Sequence, residues 1–451
     1  MRFARKDSER RIQWRQSSVS CPSNLSEKQL RQGGRQLRLG SPATPADTFR
    51  EQHIPALDGI RGIAILAVIL HHCRFLLNAA YPFQRIVVKL FELGWSGVVL
   101  FFVLSGFLIT GILLDSRTSP NYFSTFYARR FLRIFPLYYG YLALTFVGVR
   151  IFHGVAGGIN PLAHVNPWWY LSYVQNFRPN TVIMDPFLGH LWSLAVEEQF
   201  YLLWPLLILL VRPGALSWIC AALVPLSLGI RLHYAGHTPG LDAFVNTFTP
   251  ASLDSLACGA LVALAVRSAV WRRRAAPFVR PFLLACLAWF CILGWRAGGL
   301  FEYLPLIQTW GITALTLLFA ALIFIAATSS RGVSLAFFEL RALRFTGKIS
   351  YGLYVLHPMV MALLLPVFAA YPTNAVVDLA LNTEKICLVL LTSMALAAGS
   401  WFYFEKPILG LKKRFPYERS RALARRATIG GPQQSSESSA ESFAPRRSLP
   451  R

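Results

Sequence analysis

The chain has 451 residues, of which 54% are hydrophobic and only 15% charged; its mean hydropathy is +0.44 and its net charge +24. Soluble globular domains are about 25% charged, so this balance excludes an ordinary soluble enzyme and points to an integral membrane protein. A pI near 10.3 invites a nucleic-acid partner, but the basic residues avoid the apolar stretches and no nucleic-acid motif is present, so that class is excluded as well.

Residues 1–50 hold 11 Lys/Arg against 4 Asp/Glu. They lack the apolar core of a cleavable signal peptide, and they are expected to be a basic, disordered, cytoplasmic segment. Residues 51–410 are expected to form one all-α, polytopic transmembrane domain. A spanning helix needs about 20 mainly apolar residues, and ten segments qualify: 56–79, 93–114, 131–152, 190–211, 215–233, 251–268, 279–297, 306–327, 349–370 and 385–404. The stretch 161–178 is shorter and more polar. It reads as interfacial or re-entrant, and would make an eleventh span only if it crossed. Residues 411–451 form a basic, low-complexity tail, with 11 Lys/Arg against 4 acids over 405–451. The basic loop at 115–133 and the basic run at 271–280 share the side of the N-terminus, so ten spans put both termini in the cytoplasm. The seven cysteines show no paired metal spacing and read as buried small hydrophobes.

The first span, "IPALDGIRGIAILAVILHHC" over 54–73, carries four ionisable side chains. At 100° per residue, Asp58, Arg61 and His72 fall within about 60° of one another, with Arg61 and His72 roughly 16 Å apart along the axis. His71 lies about 100° away from His72. Charges inside a membrane mark a polar cavity or a partner, and an imidazole suits the removal of a hydroxyl proton. A histidine that only bridges helices is the competing reading, and the aligned Asp58 and Arg61 weigh against it.

In "FYARRFLRIFP", Arg130 and Arg133 lie one turn apart, and Arg129 and Arg133 are also compatible with one face. Paired guanidiniums suit phosphate, although charge topology alone also accounts for them. In "GHLWSLAVEEQFYLLWP", Glu197 and Glu198 open an apolar helix, preceded by His190 and Ser193. These glutamates mark either a site or a helix start favoured by the dipole. In "FTGKISYGLYVLHP", Lys348 and His357 flank a tyrosine-rich turn, a weak signal in isolation.

Taken in order, "LDGIRGIAILAVILHH", "FFVLSGFLIT", "RRFLRIFPLYY", "LWSLAVEEQFYLLWP" and "GKISYGLYVLHP" resemble the acyltransferase-3 family of bacterial membrane acyltransferases, across about residues 54–407. The resemblance maps the family's Arg-x10-His motif onto Arg61 and His72, its Arg-x-x-Arg motif onto Arg130 and Arg133, and its Ser…Glu region onto Ser193, Glu197 and Glu198. It implies an O-acyltransferase in the bacterial cell membrane, moving an acyl group, commonly acetyl, from acyl-CoA to a hydroxyl of a carbohydrate or glycoconjugate. It also implies the stand-alone type, without a fused esterase-like domain.

His72, Arg61, Asp58, Glu197 and Glu198 are then the catalytic candidates, and Arg130, Arg133, Ser193 and His190 the substrate-binding ones. His72 would act as general base, or carry the acyl group in a covalent intermediate. Asp58 would pair with Arg61, and Glu197 or Glu198 would orient His72 or hold acceptor hydroxyls. Acetyl-CoA is a donor substrate here, not a tightly bound cofactor, and no metal is expected. In "FTPASLDSLACGALVAL" the family often has Arg two residues before the Asp; Ser252 stands there, ahead of Asp254, so any role for that Arg must be absent or supplied elsewhere. A secondary transporter or glycan flippase would also use ten spans around a polar cavity, but no inverted repeat is visible. A receptor or scaffold using the basic tails leaves the charged cluster unexplained.

Overall fold

Without water, a membrane-crossing backbone must satisfy its own polar groups, and long apolar stretches do so as helices. The computed structural model describes residues 53–77, 81–156, 162, 165–178, 187–235, 242–329, 333–369 and 375–418. Helix α1 (Pro55–Cys73) leads to a short amphipathic α2 (Pro82–Glu92), then α3 (Ser96–Ser116) and α4 (Tyr122–Ala156). Next come α5 (Trp192–Leu210), α6 (Pro213–Tyr234), α7 (Thr249–Arg267), α8 (Ala269–Ala297) and α9 (Ile312–Thr328). Helices α10 (Arg341–Lys348), α11 (Ser350–Ala369) and α12 (Ala375–Ser400) complete the α-helices of eight or more residues among the described residues. No strand occurs among the described residues.

Nine helices among the described residues are long and apolar enough to cross a membrane. The tenth expected segment is α11, whose apolar part is Ser350–Leu364. Large side chains such as Leu202, Leu210, Trp218, Trp295 and Tyr403 stay exposed around the bundle, an apolar surface suited to lipid and unsuited to water. The protein is an all-α, multi-pass membrane protein.

The structure adds detail to three of these segments. The run at 271–280 is helical: α8 starts at Ala269, where the Ser268 hydroxyl caps the Trp271 N–H, and it continues through Pro277 and Pro281. The stretch near 161–178 does not cross where it is described. It holds a five-residue helix, Pro167–Leu171, and a turn whose Gln175 and Asn176 are buried and donate to the Leu191 carbonyl and Thr249 Oγ1 at 2.9 and 2.8 Å. The beginning of the C-terminal tail packs: Arg129 donates to the Phe415 carbonyl at 2.7 Å and Asn121 to that of Pro416 at 2.8 Å. Residues 1–50 and the tail beyond 418 lie outside the described residues.

Small residues let helices touch backbone to backbone, a standard device in membranes. Gly106 on α3 faces the Leu256 carbonyl, and Gly259 on α7 faces that of Val103, so a methyl at either would collide with backbone. Successive spans alternate in direction. The bundle therefore has one end with Asp58, Arg61, Arg130, Arg133 and Lys412, and an opposite end with His72, His190 and Glu302.

Candidate active site

At the first end, Arg61 from α1, Arg130 and Arg133 from α4, and Glu197 from α5 line a cavity of about 90 Å³. Helix α10 packs so closely on α1 that Gly347 abuts the Asp58 carbonyl, which holds the N-terminal turn of α1 in position. Ser105 and Tyr201 are hydrogen-bonded to each other in the wall, and the Tyr201 hydroxyl donates to Glu197 Oε2 at 3.1 Å. The Arg130 guanidinium lies 5.6 Å from the Tyr201 ring centre, a cation–π arrangement that keeps it in place. Three guanidiniums against one carboxylate make this an anion site. Arg129 is not part of it: its side chain reaches the Phe415 carbonyl and the Tyr417 ring. Asp58 accepts from His53 at 2.8 Å and interacts electrostatically with Arg61 as well.

At the opposite end a larger cavity, about 380 Å³, is lined by His71, His72, His190, Trp192, Asn246 and Glu302 among others. Hydrogen-bond partners assign the histidine protons, because a carbonyl only accepts. His357 Nδ1 lies 2.9 Å from both the Leu353 and Tyr354 carbonyls, so it carries hydrogen and Nε2 is bare. His72 Nδ1 is 2.9 Å from the Val68 carbonyl and 3.3 Å from His357 Nε2. It too is an N–H, and the basic lone pair of His72 is therefore on Nε2. His71 Nδ1 sits 3.1 Å from the Glu92 carbonyl, leaving its Nε2 to face Glu302 Oε1 at 3.8 Å.

Val98 and Tyr354 belong to the linings of both cavities. The Tyr354 hydroxyl donates to the His190 carbonyl at 2.8 Å and lies 2.5 Å from Ser193 Oγ. The two chambers thus share a wall built on one phenol. Among the described residues, no group of three or more His, Cys, Asp or Glu converges to hold a metal.

The structure brings Arg61, Arg130, Arg133, Ser193 and Glu197 to the first cavity and His72 and His190 to the second. Glu198 lines neither. Helix α5 runs antiparallel to α1: His190 lines the cavity of His72, while Glu197, seven residues on and roughly 10 Å deeper, lines that of Arg61. The partner of His72 is His357, which the sequence offered only as a histidine preceding a proline. Lys348 is exposed at the basic end. The arginine absent at Ser252 has a counterpart on α6: Arg231, 1% exposed, binds Asp254 Oδ2 at 2.6 Å and Thr313 Oγ1 at 2.8 Å.

A family model described as an acyltransferase domain matches residues 54–403. The peptidoglycan O-acetyltransferase OatA of Listeria monocytogenes is 29% identical over 384 residues, which cover 80% of this chain and 56% of that protein. The O-acetyltransferase OatA of Staphylococcus aureus is 32% identical over 229 residues, covering 48% of this chain and 35% of that protein. The chain spans just over half the length of the first of these curated relatives. No solved structure matches.

Proposed function

The chain belongs to the acyltransferase-3 family, and from that premise we propose that it moves an acyl group, acetyl in the first instance, from acyl-CoA to a hydroxyl of a cell-envelope carbohydrate. Membership in an acyltransferase family favours transfer over transport. The relatives named for peptidoglycan O-acetylation make an amino-sugar glycan the first acceptor to try.

The observation that carries the reading is one bare imidazole nitrogen, His72 Nε2, in a chamber that shares its Tyr354 wall with a chamber of three arginines. The basic end faces the cytoplasm on this reading, in line with the positive-inside rule, since Arg117, Arg129, Arg212 and Lys412–Arg414 all sit there. Phosphates of acyl-CoA bind Arg130 and Arg133 by charge-assisted hydrogen bonds. The pantetheine arm then passes Val98 and Tyr354 and brings the thioester carbonyl near His72.

His72 Nε2 takes the acceptor's hydroxyl proton as the oxygen attacks that carbonyl. Collapse of the tetrahedral intermediate breaks the carbon–sulfur bond, and the departing thiolate receives the same proton from the imidazolium. The ester and free CoA thiol are the products, and no further reactant is needed. Arg61 steadies the negative charge of the donor.

The test is transfer from radiolabelled acetyl-CoA to the glycan fraction of membranes carrying the wild type, His72→Ala or His233→Ala at equal abundance. General-base catalysis is worth about 10²–10⁴ in rate, so His72→Ala should lose at least a hundredfold. His233, exposed on α6, should tolerate change. Equal labelling by all three variants sinks the assignment of His72.

A further inference from the structure

The segment between α8 and α9 contributes Glu302 and Tyr303 to the wall of the larger cavity. Its position is not that of a free loop. Trp95 Nε1 donates to the Leu300 carbonyl at 3.0 Å. Asn246 Nδ2 donates to the Glu302 carbonyl at 3.4 Å, and Gln308 Nε2 in turn holds the Asn246 oxygen at 3.0 Å. The Arg74 guanidinium sits 5.8 Å from the Phe301 ring centre while donating to the His71 carbonyl at 2.7 Å. The segment at Leu300–Glu302 is thus held by Trp95, Arg74 and Asn246, from three different parts of the chain.

The side chain so held is a carboxyl that is only about one-fifth exposed. It lines the cavity together with His72, and its ion-pair neighbour is the second histidine, His71, at 3.8 Å. Taking a carboxylate out of water without a short ion pair is unfavourable, and a fold that fixes one in the wall of a chamber has a use for it. A carboxylate accepts hydrogen bonds from two adjacent hydroxyls at once. The same chamber offers aromatic walls, Trp192, Tyr303 and Phe75, and an amide, Asn246. A few fixed polar groups among aromatic surfaces are what an oriented polyhydroxylated ring requires.

We propose that this chamber is the seat of the acceptor and that Glu302 holds the acceptor carbohydrate there, accepting hydrogen bonds from hydroxyls beside the one that His72 deprotonates. The proposal rests on the acyl-transfer reading and adds to it a site and a residue outside every motif in the sequence.

The experiment uses the full chain in lipid nanodiscs, with acetyl-CoA binding measured first and transfer to diacetylchitobiose measured second, for wild type, Glu302→Gln and Glu302→Asp. Thermal melts check that each variant is folded. The expected result is that Glu302→Gln raises the half-saturating disaccharide concentration at least tenfold and changes the half-saturating acetyl-CoA concentration less than twofold. Glu302→Asp, which keeps the charge and loses one methylene, should fall between the two and keeps the test open should the glutamine variant fail to fold. An unchanged acceptor half-saturation, or a fall in kcat alone, overturns the proposal. Acetyl-CoA binding without transfer to the disaccharide at any concentration overturns it too and leaves the donor reading standing. Absence of acetyl-CoA binding by the wild type brings down the acyl-transfer reading itself.

Discussion

His72 Nδ1 lies 3.3 Å from His357 Nε2, so two imidazoles 285 positions apart in sequence share one hydrogen. His357 is fully buried, and its own Nδ1 is committed to two carbonyls. Its remaining lone pair can do one thing, which is to accept from His72. That bond fixes the ring of His72, keeps its Nε2 free, and stabilises the imidazolium once Nε2 has taken a proton.

His357 is therefore a positioning residue, and its replacement should cost less than that of His72. His357→Leu should lower kcat about tenfold or more, short of the ~10²–10⁴ lost with the base itself, and leave the half-saturating donor concentration unchanged. His357→Gln, whose amide oxygen can accept the same hydrogen bond, should recover part of the loss. Single-turnover rates at saturating donor are the readout. No recovery by glutamine would make His357 a packing residue.

Arg130 and Arg133 should act on the donor and on its phosphates alone. A hydrogen bond to a charged group is worth about 1.5–3 kcal/mol. Arg130→Ala or Arg133→Ala should then raise the half-saturating acyl-CoA concentration by roughly ten- to a hundredfold, with kcat much less affected. With S-acetylpantetheine, which lacks the nucleotide phosphates, wild type and variants should converge. Arg129→Ala should behave differently, because Arg129 holds the Phe415 segment: donor affinity stays and thermal stability falls. A variant penalty of equal size with both donors would mean that these arginines do not read phosphate.

What could be read from the sequence and what could not divide along a physical line. The Arg61 and His72 face was legible because both lie on one helix, where periodicity alone sets the phase. The choice between Arg129 and Arg130 was not, since both satisfy helical spacing with Arg133; the neighbour that separates them, Phe415, is 286 residues away from Arg129. That Glu197 lines the cavity of Arg61 and not that of His72 was not legible, because depth in the bundle depends on helix direction as well as on spacing. His357 and Glu302 gave little signal: one precedes a proline in an apolar helix, and the other sits in a short polar connection that resembles any loop. Arg231 stood out in no motif, yet it is 1% exposed and ion-paired.

The Arg231–Asp254 pair makes a separate prediction about stability. Both side chains are essentially inaccessible, and Arg231 ties α6 to Asp254 and the Ala251 carbonyl on α7 and to Thr313 on α9. Removing one partner of a buried pair strands the other charge, typically at a cost of 3–5 kcal/mol. Arg231→Met should therefore lower the thermal midpoint in detergent sharply. The double change Arg231→Met with Asp254→Leu should recover much of the loss, since an apolar replacement of a buried pair is often neutral. Additive losses in the double variant would mean that the two residues do not act as a pair.

Glu302 predicts a pH dependence of stability with a definite sign. Burial pushes its carboxyl up from about 4.5 to about 7, opposed by the charge of Arg74 and by a hydrogen bond from Tyr303. In the unfolded chain the same group loses its proton near 4.5. Between those values the native state holds more protons than the unfolded state, so raising the pH favours unfolding. The penalty is absent below about pH 4.5 and complete above about pH 7, at about 1.4 kcal/mol per unit of difference. Glu302→Gln keeps the shape and removes the titration. The melting temperature of the wild type should fall relative to that of Glu302→Gln as pH rises from about 5 to 8, with the steepest change below pH 7. Comparing the two proteins cancels what groups remote from Glu302 contribute alike to both. Parallel curves across that range would mean that the carboxyl keeps an ordinary affinity for its proton, and that the chamber wall around it is wetter than its packing suggests.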